Sequence, residues 1–204
     1  MSNDLRSRAI RLAHANPELR PHLLPLLKEA AKEGVNVVGK HILGGAKVFD
    51  NAKVYGNAKV SGYVEVSGNA KVYGAVAVRD RAKVYENAEV WDRADVFDNA
   101  HVSGDAKVSG DAHVWGNAKV SGRAKVYDDA KVYGSAEVSK DAYITNNAVV
   151  GGDAKVYGNA VVKGDATVYG KADISGTAEI LGGEWDGSEG PITKGKWKAP
   201  GVLA

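Results

Sequence analysis

The chain has 204 residues and a formal net charge of +2, with no Cys, one Met, two Phe and 25 Gly, and 44% of it is hydrophobic. That hydrophobic share belongs to a folded chain rather than a disordered one, and the length suits one or two domains. The absent Cys removes disulfides, thiolate chemistry and Cys-type zinc sites, no run of about 18 apolar residues is available to span a membrane, and residues 34–204 carry 21 Lys/Arg against 21 Asp/Glu, a neutral body that attracts no phosphate backbone.

The hydrophobes are segregated. Seven Leu precede position 28, none lies between Leu43 and Leu181, and Pro17, Pro21, Pro25, Pro191 and Pro200 all fall outside that stretch. The middle of the chain is therefore built from Ala and Val, which argues against an ordinary layered core of large side chains.

Residues 1–39 are expected to form a helical cap or docking segment. An amphipathic helix near 4–14 sets Leu5, Ile10 and Leu12 against Arg6, Arg8 and Arg11. Asn16-Pro17 separates it from a second helix that ends at Gly34, a natural residue after a helix, with Lys28 and Lys32 in the last turns. Leu19, Leu23, Leu24, Leu26 and Leu27 exceed what one small cap needs, so both a cap on the first coil and a docking tag stand as readings. No apolar h-region is present at the start, so no secretory signal peptide is expected. The segment from Ala9 to Leu27 resembles a short N-terminal stretch of tailed-phage-encoded proteins whose bodies otherwise differ. The resemblance implies a common attachment segment carrying a variable payload. The sequence leaves the final location open, with synthesis in the cytoplasm and incorporation into a virion as the expectation.

From Ala46 to Ala178 a small residue recurs every six positions without a slip, in 23 hexads, with Ala in 21 and Val64 and Val76 in the other two. Two positions on, Val occupies 20 hexads, and Ile144, Ile174 and Ile180 the rest. The fifth and sixth positions are mostly Gly, Asp or Asn, as in Ala52-Lys53-Val54-Tyr55-Gly56-Asn57, and Lys40-His41-Ile42 reads as a degenerate first unit. Ala and Val alternate with period two and point one way, while Gly, Asn and Asp tolerate the positive φ of a tight turn. Strands this short cannot pair as a meander. The consistent solution is a coil with three flat sides, so that residues 18 apart share a face. The predicted fold is all-β, a triangular β-solenoid over 40–182 whose narrow interior admits only Ala and Val.

The unit resembles the hexapeptide repeat of left-handed parallel β-helices, over about two thirds of the chain. Left-handedness is implied by that resemblance. A right-handed solenoid, as in polymer-forming bactofilins, is the alternative, with turns less regular than six. Family members are commonly homotrimers, which implies a homo-oligomer here, a trimer above all, with the outward aromatic faces expected to be buried in it.

The three outward faces (I, II and III) differ in the columns they display. Face I carries Tyr55, Tyr73 and Trp91 at the fourth hexad position, then Tyr127. Face II carries Phe97, Trp115 and Tyr133, then Tyr169. Face III carries mainly Ser there, with Phe49, Tyr85 and Tyr157, and its second position reads Lys47, Glu65, Lys83, His101, Lys119, Glu137, Lys155, Asp173, an alternation that keeps like charges apart. The aromatic columns present apolar area outward, open to three readings: stacking between coils, a trimer interface, or a glycan-binding stripe.

Many proteins with this repeat are acyltransferases, whose catalytic His sits on or beside a loop that interrupts it. Nothing interrupts the repeat from 46 to 180, and His101 and His113, 12 residues apart, fall on different faces. The gamma-class carbonic anhydrases share the fold and use three His at a subunit junction. Two stand in the rod here, with no matching motif. No phosphate-cradling Gly motif or nucleophile–base pair is visible, so no catalytic, cofactor-binding or metal residue is assigned. An ice-binding rod would need flat Thr arrays, and only Thr145, Thr167, Thr177 and Thr193 occur.

Residues 183–204 read as a C-terminal cap. Ile180-Leu-Gly-Gly-Glu-Trp185 and Ile192-Thr-Lys-Gly-Lys-Trp197 echo each other 12 residues apart. Trp185 and Trp197 are expected to plug the open end or to meet a partner or glycan, with Pro191 and Pro200 blocking further strand pairing. Taken together, the sequence points to a non-catalytic rod serving as a structural or adhesive component of a phage virion. An acyltransferase-like enzyme with a site at a subunit junction and a glycan-binding rod are the alternatives.

Overall fold

The computed structural model describes residues 36–38, 42–199 and 202–203. The expected N-terminal helices and the five candidate docking leucines lie outside the described residues. What is described is all-β: a parallel β-solenoid with one coil per 18 residues.

Each coil contributes one short strand to each of three sheets, of 11, nine and eight strands. Face I begins at Asn36–Val38 and Lys53–Tyr55, face II at Ile42–Gly44 and Lys59–Gly62, and face III at Lys47–Val48 and Glu65–Val66. Pairing is parallel and in register, so Val90 stands beside Val72 and Val108, and His101 beside Lys83 and Lys119. The ladder runs from each N–H to the carbonyl 17 residues on, as in Lys83 N to Ala100 O and Tyr85 N to Val102 O, at 2.9 and 3.0 Å. At about 4.8 Å per coil the rod is roughly 40 Å long.

The hexad maps directly onto this geometry. The first and third positions face inward, and from Val60 to Val168 every one of them is fully buried. Three such sheets close a prism that Ala and Val fill along most of its length, with Ile at 144, 174 and 180. Every fifth position from Asp50 to Gly176 has positive φ, which turns the chain through each corner. Gly fits there at no steric cost, and Asp, Asn, Glu and Lys occupy the remaining corners.

The repeat fails at the C-terminal end in an informative way. Glu184–Trp185 pairs one residue early, and Trp185 takes the inward place beside Val168 with no exposed surface. Trp197 pairs with Ile180 and packs half-buried on the core, its ring edge-on to Trp185 at 5.9 Å. Beyond the second Pro the chain pairs once more: Val202–Leu203 returns antiparallel along Lys196–Ala199. The sheet edge is thus covered by a returning strand, where Pro alone was expected to end pairing.

Candidate functional surfaces

On face I, Tyr55 and Tyr73 stack with ring centroids 4.9 Å apart and planes 1° from parallel, and Tyr73 stacks on Trp91 at 6.0 Å. Trp91 then meets Tyr127 edge-on at 5.8 Å across the intervening Ser109, which is buried. Tyr127 continues edge-on to Tyr143 at 5.6 Å. On face II, Phe97, Trp115 and Tyr133 stack at 5.7 and 5.0 Å. The Arg79 guanidinium caps this ladder 4.0 Å above Phe97. At the other end Tyr133 lies over Gly151, where an added Cβ would come within 2.2 Å of its ring.

Both ring faces in the face II ladder are therefore occupied within one chain, and only ring edges reach solvent. The sequence marked these columns as large exposed apolar area. In the structure Tyr73, Trp91, Phe97, Trp115 and Tyr133 are half-buried, because each ring covers its neighbour. Larger exposure is found at the start of the rod, at Leu43 and Tyr63, 62% and 73% exposed.

A second rule was not legible from the 18-residue period. Fourth-position side chains lean toward the second position of the next coil, 16 residues on: Arg79 to Asp95 at 2.7 Å, Tyr127 to Tyr143, Lys163 to Glu179 at 3.5 Å. Tyr143 thus joins the face I column although hexad position alone did not place it there, and a diagonal spacing of 16 in the sequence is the signal that would have found it. Arg79 stands in the face II column at the ordinary spacing of 18 from Phe97.

The corners carry their own columns. Asn51, Asn69, Asn87 and Asp105 form a side-chain ladder in which each amide donates to the next side-chain oxygen, at 3.3, 3.0 and 2.9 Å. Fifth-position carboxylates accept a backbone N–H from the coil above, as Asp50 does from Gly68 at 3.0 Å. Asp128 accepts the N–H of Asn146 and the Thr145 hydroxyl, and these two donors, the hydroxyl foremost, hold its carboxyl below the usual Asp range. Arg123 pairs with Asp141 at 2.7 Å.

His101 and His113 stand on different sheets, as expected. Burial first, then Lys83 and Lys119 on either side, push the His101 imidazole below its ordinary value. His113 lines an open groove of about 570 Å³ with Asp111, Asp129, Lys131 and Asn147, beside the face II ladder. Among the described residues no three His, Asp or Glu are grouped to hold a metal ion, and no helix is long and apolar enough to cross a membrane. Trp185 and Trp197 each donate their indole N–H to the carbonyl three residues back, Gly182 and Lys194, both at 2.9 Å.

No protein-family model matches the chain, and no curated protein matches it.

Proposed function

We propose that this chain is a non-catalytic, rigid rod, a structural or adhesive component of a phage particle that joins its assembly through residues 1–33. The observation that carries the reading is the unbroken solenoid from Ala46 to Ile180, in which backbone, corners and outward columns all engage the neighbouring coil. Such a body resists bending and offers length. The placement of His101 and His113 on separate faces also favours a non-catalytic role. The attachment role of residues 1–33 is supported by their Leu content and by the resemblance of that stretch to the starts of phage-encoded proteins.

The test compares the full chain with a chain lacking residues 1–33, each tagged and produced in the native host. Full-length protein is expected to co-sediment with particles, and the truncated rod to stay in the supernatant. Equal co-sedimentation of both removes the attachment role, and absence of both from particles removes the virion role.

The groove beside the face II ladder favours a second reading, glycan binding through hydrogen bonds rather than ring stacking. A glycan array on which the chain gives signals that Asp129→Ala abolishes would establish it, and a blank array would remove it.

A further inference from the structure

We infer that face III is a self-recognition surface on which a second copy of this chain docks antiparallel, related by a two-fold axis that runs along the strand direction between the His101 and Lys119 coils. The inference is independent of the proposed virion role.

Such an axis reverses the rod and keeps the strand direction. Each column of face III then opposes itself in reverse order. The eight residues of the second-position column are evenly stacked and in register. Reversal places Lys47 opposite Asp173 of the second copy, Glu65 opposite Lys155, and Lys83 opposite Glu137. Each of these contacts occurs twice by symmetry, giving six opposite-sign contacts and no like-charge one. The centre sets His101 against Lys119, and there a neutral imidazole is required. The burial and flanking ammonium groups that hold His101 below its ordinary value supply it.

The fourth-position column agrees independently. Under the same operation Phe49 opposes Ser175, Tyr85 opposes Ser139, and Tyr157 opposes Ser67, so every aromatic position opposes a serine position. Ser103 and Ser121 face each other across the axis. Stacking within one chain requires no such matching of large to small. Charge alternation within one chain is likewise only partly used: among the described residues, ion pairs close at Glu65–Lys83, 3.0 Å, and Lys119–Glu137, 3.2 Å.

The other faces do not pass both tests. Reversal on face I sets Lys107 against Lys125 at the centre, two ammonium groups in contact, and puts Glu89 against Tyr143. Reversal on face II about His113 gives no like-charge contact but sets Phe97 against Tyr133 and Trp115 against itself, large against large. A face of eight coils at about 4.8 Å and roughly 15 Å of width covers about 600 Å² per copy, which reaches the range of specific two-fold interfaces. The pairing sends the two chain starts to opposite ends. It is a different contact from the three-fold association through faces I and II that the hexapeptide resemblance implies.

The test is analytical ultracentrifugation of the full-length chain at low salt, with circular dichroism confirming that each variant keeps the parent fold. The parent is expected to have the mass of two chains or a multiple of two. Lys83→Glu should raise the dissociation constant by about tenfold or more, because two contacts become like-charged. Adding Glu137→Lys should restore association to within about threefold of the parent, although that change worsens the alternation within each chain. His101→Glu completes the alternation and should tighten the pair several-fold. A species of one or three chains, or a double variant no tighter than Lys83→Glu alone, overturns the inference.

Discussion

Gly134 has φ +70°, and a Cβ placed on it would lie 2.9 Å from the Gly152 carbonyl oxygen. Backbone strain and contact with the next coil therefore act together, and Gly134→Ala should lower stability by about 2–4 kcal/mol, read from thermal melts. Asp128 answers a different demand at the same hexad position. Its carboxylate receives donors from the coil above, and its folded pKa lies below the unfolded value. Its contribution is thus present above the usual carboxylate range and is lost as pH falls through the lowered folded value. Asp128→Asn should melt below the parent at neutral pH, with the difference shrinking on acidification; a constant gap would show that the charge is not involved. The sequence displayed the tolerance of Asp and Asn for positive φ, but which N–H each carboxylate receives depends on the coil above it.

At the scale of the element, the face II column is a closed stack: guanidinium, three rings, then a glycine surface. Removing its middle ring breaks two contacts at once. Trp115→Ala should cost about 2–3 kcal/mol, and Gly151→Val, which displaces Tyr133 without touching the core, about 1–2 kcal/mol, both measured by chemical denaturation. The C-terminal end behaves as an element of its own. Trp185 is fully buried where the repeat breaks, so Trp185→Ala should cost about 3–5 kcal/mol and speed hydrogen exchange in the last coils first. Equal acceleration along the whole rod would contradict this local role. The aromatic residues of the columns were legible one by one from their fourth position. Stacking between coils was one of the readings their spacing offered, and the rings do stack. How each column ends was not legible, because a ring reaching back over Gly151 and another bridging Ser109 are outcomes of side-chain conformation, which spacing does not encode.

For the whole molecule, coils that contact only their neighbours make stability a sum over coils and their interfaces. Deleting residues 101–118, one full coil of 18 residues, keeps each face in register. The shortened rod should fold, lose about 4.8 Å of length by small-angle scattering, and melt within a few degrees of the parent. Deleting only 107–112 leaves the inward pattern of Ala and Val intact but rotates every later coil by one face. Backbone pairing survives, the face II column is cut after Phe97 and the face III alternation after His101, while Trp115 and Tyr133 come to follow Trp91 on face I. The melting temperature should fall below that of the 18-residue deletion, which keeps Phe97 beside Tyr133, and equal melting of the two would mean that the face II column contributes nothing.

The period, the inward residues and the three-sided coil were all written in the chain, because hexad spacing and positive-φ corners are local and the backbone hydrogen bonds follow from them. The 16-residue diagonal by which Arg79 reaches Asp95, the capped stack from Phe97 to Tyr133, and the seat of Trp185 against Val168 were decided only in the folded rod. Those contacts depend on the rise between coils and on the direction each side chain leans, and both quantities exist only once one coil lies on another.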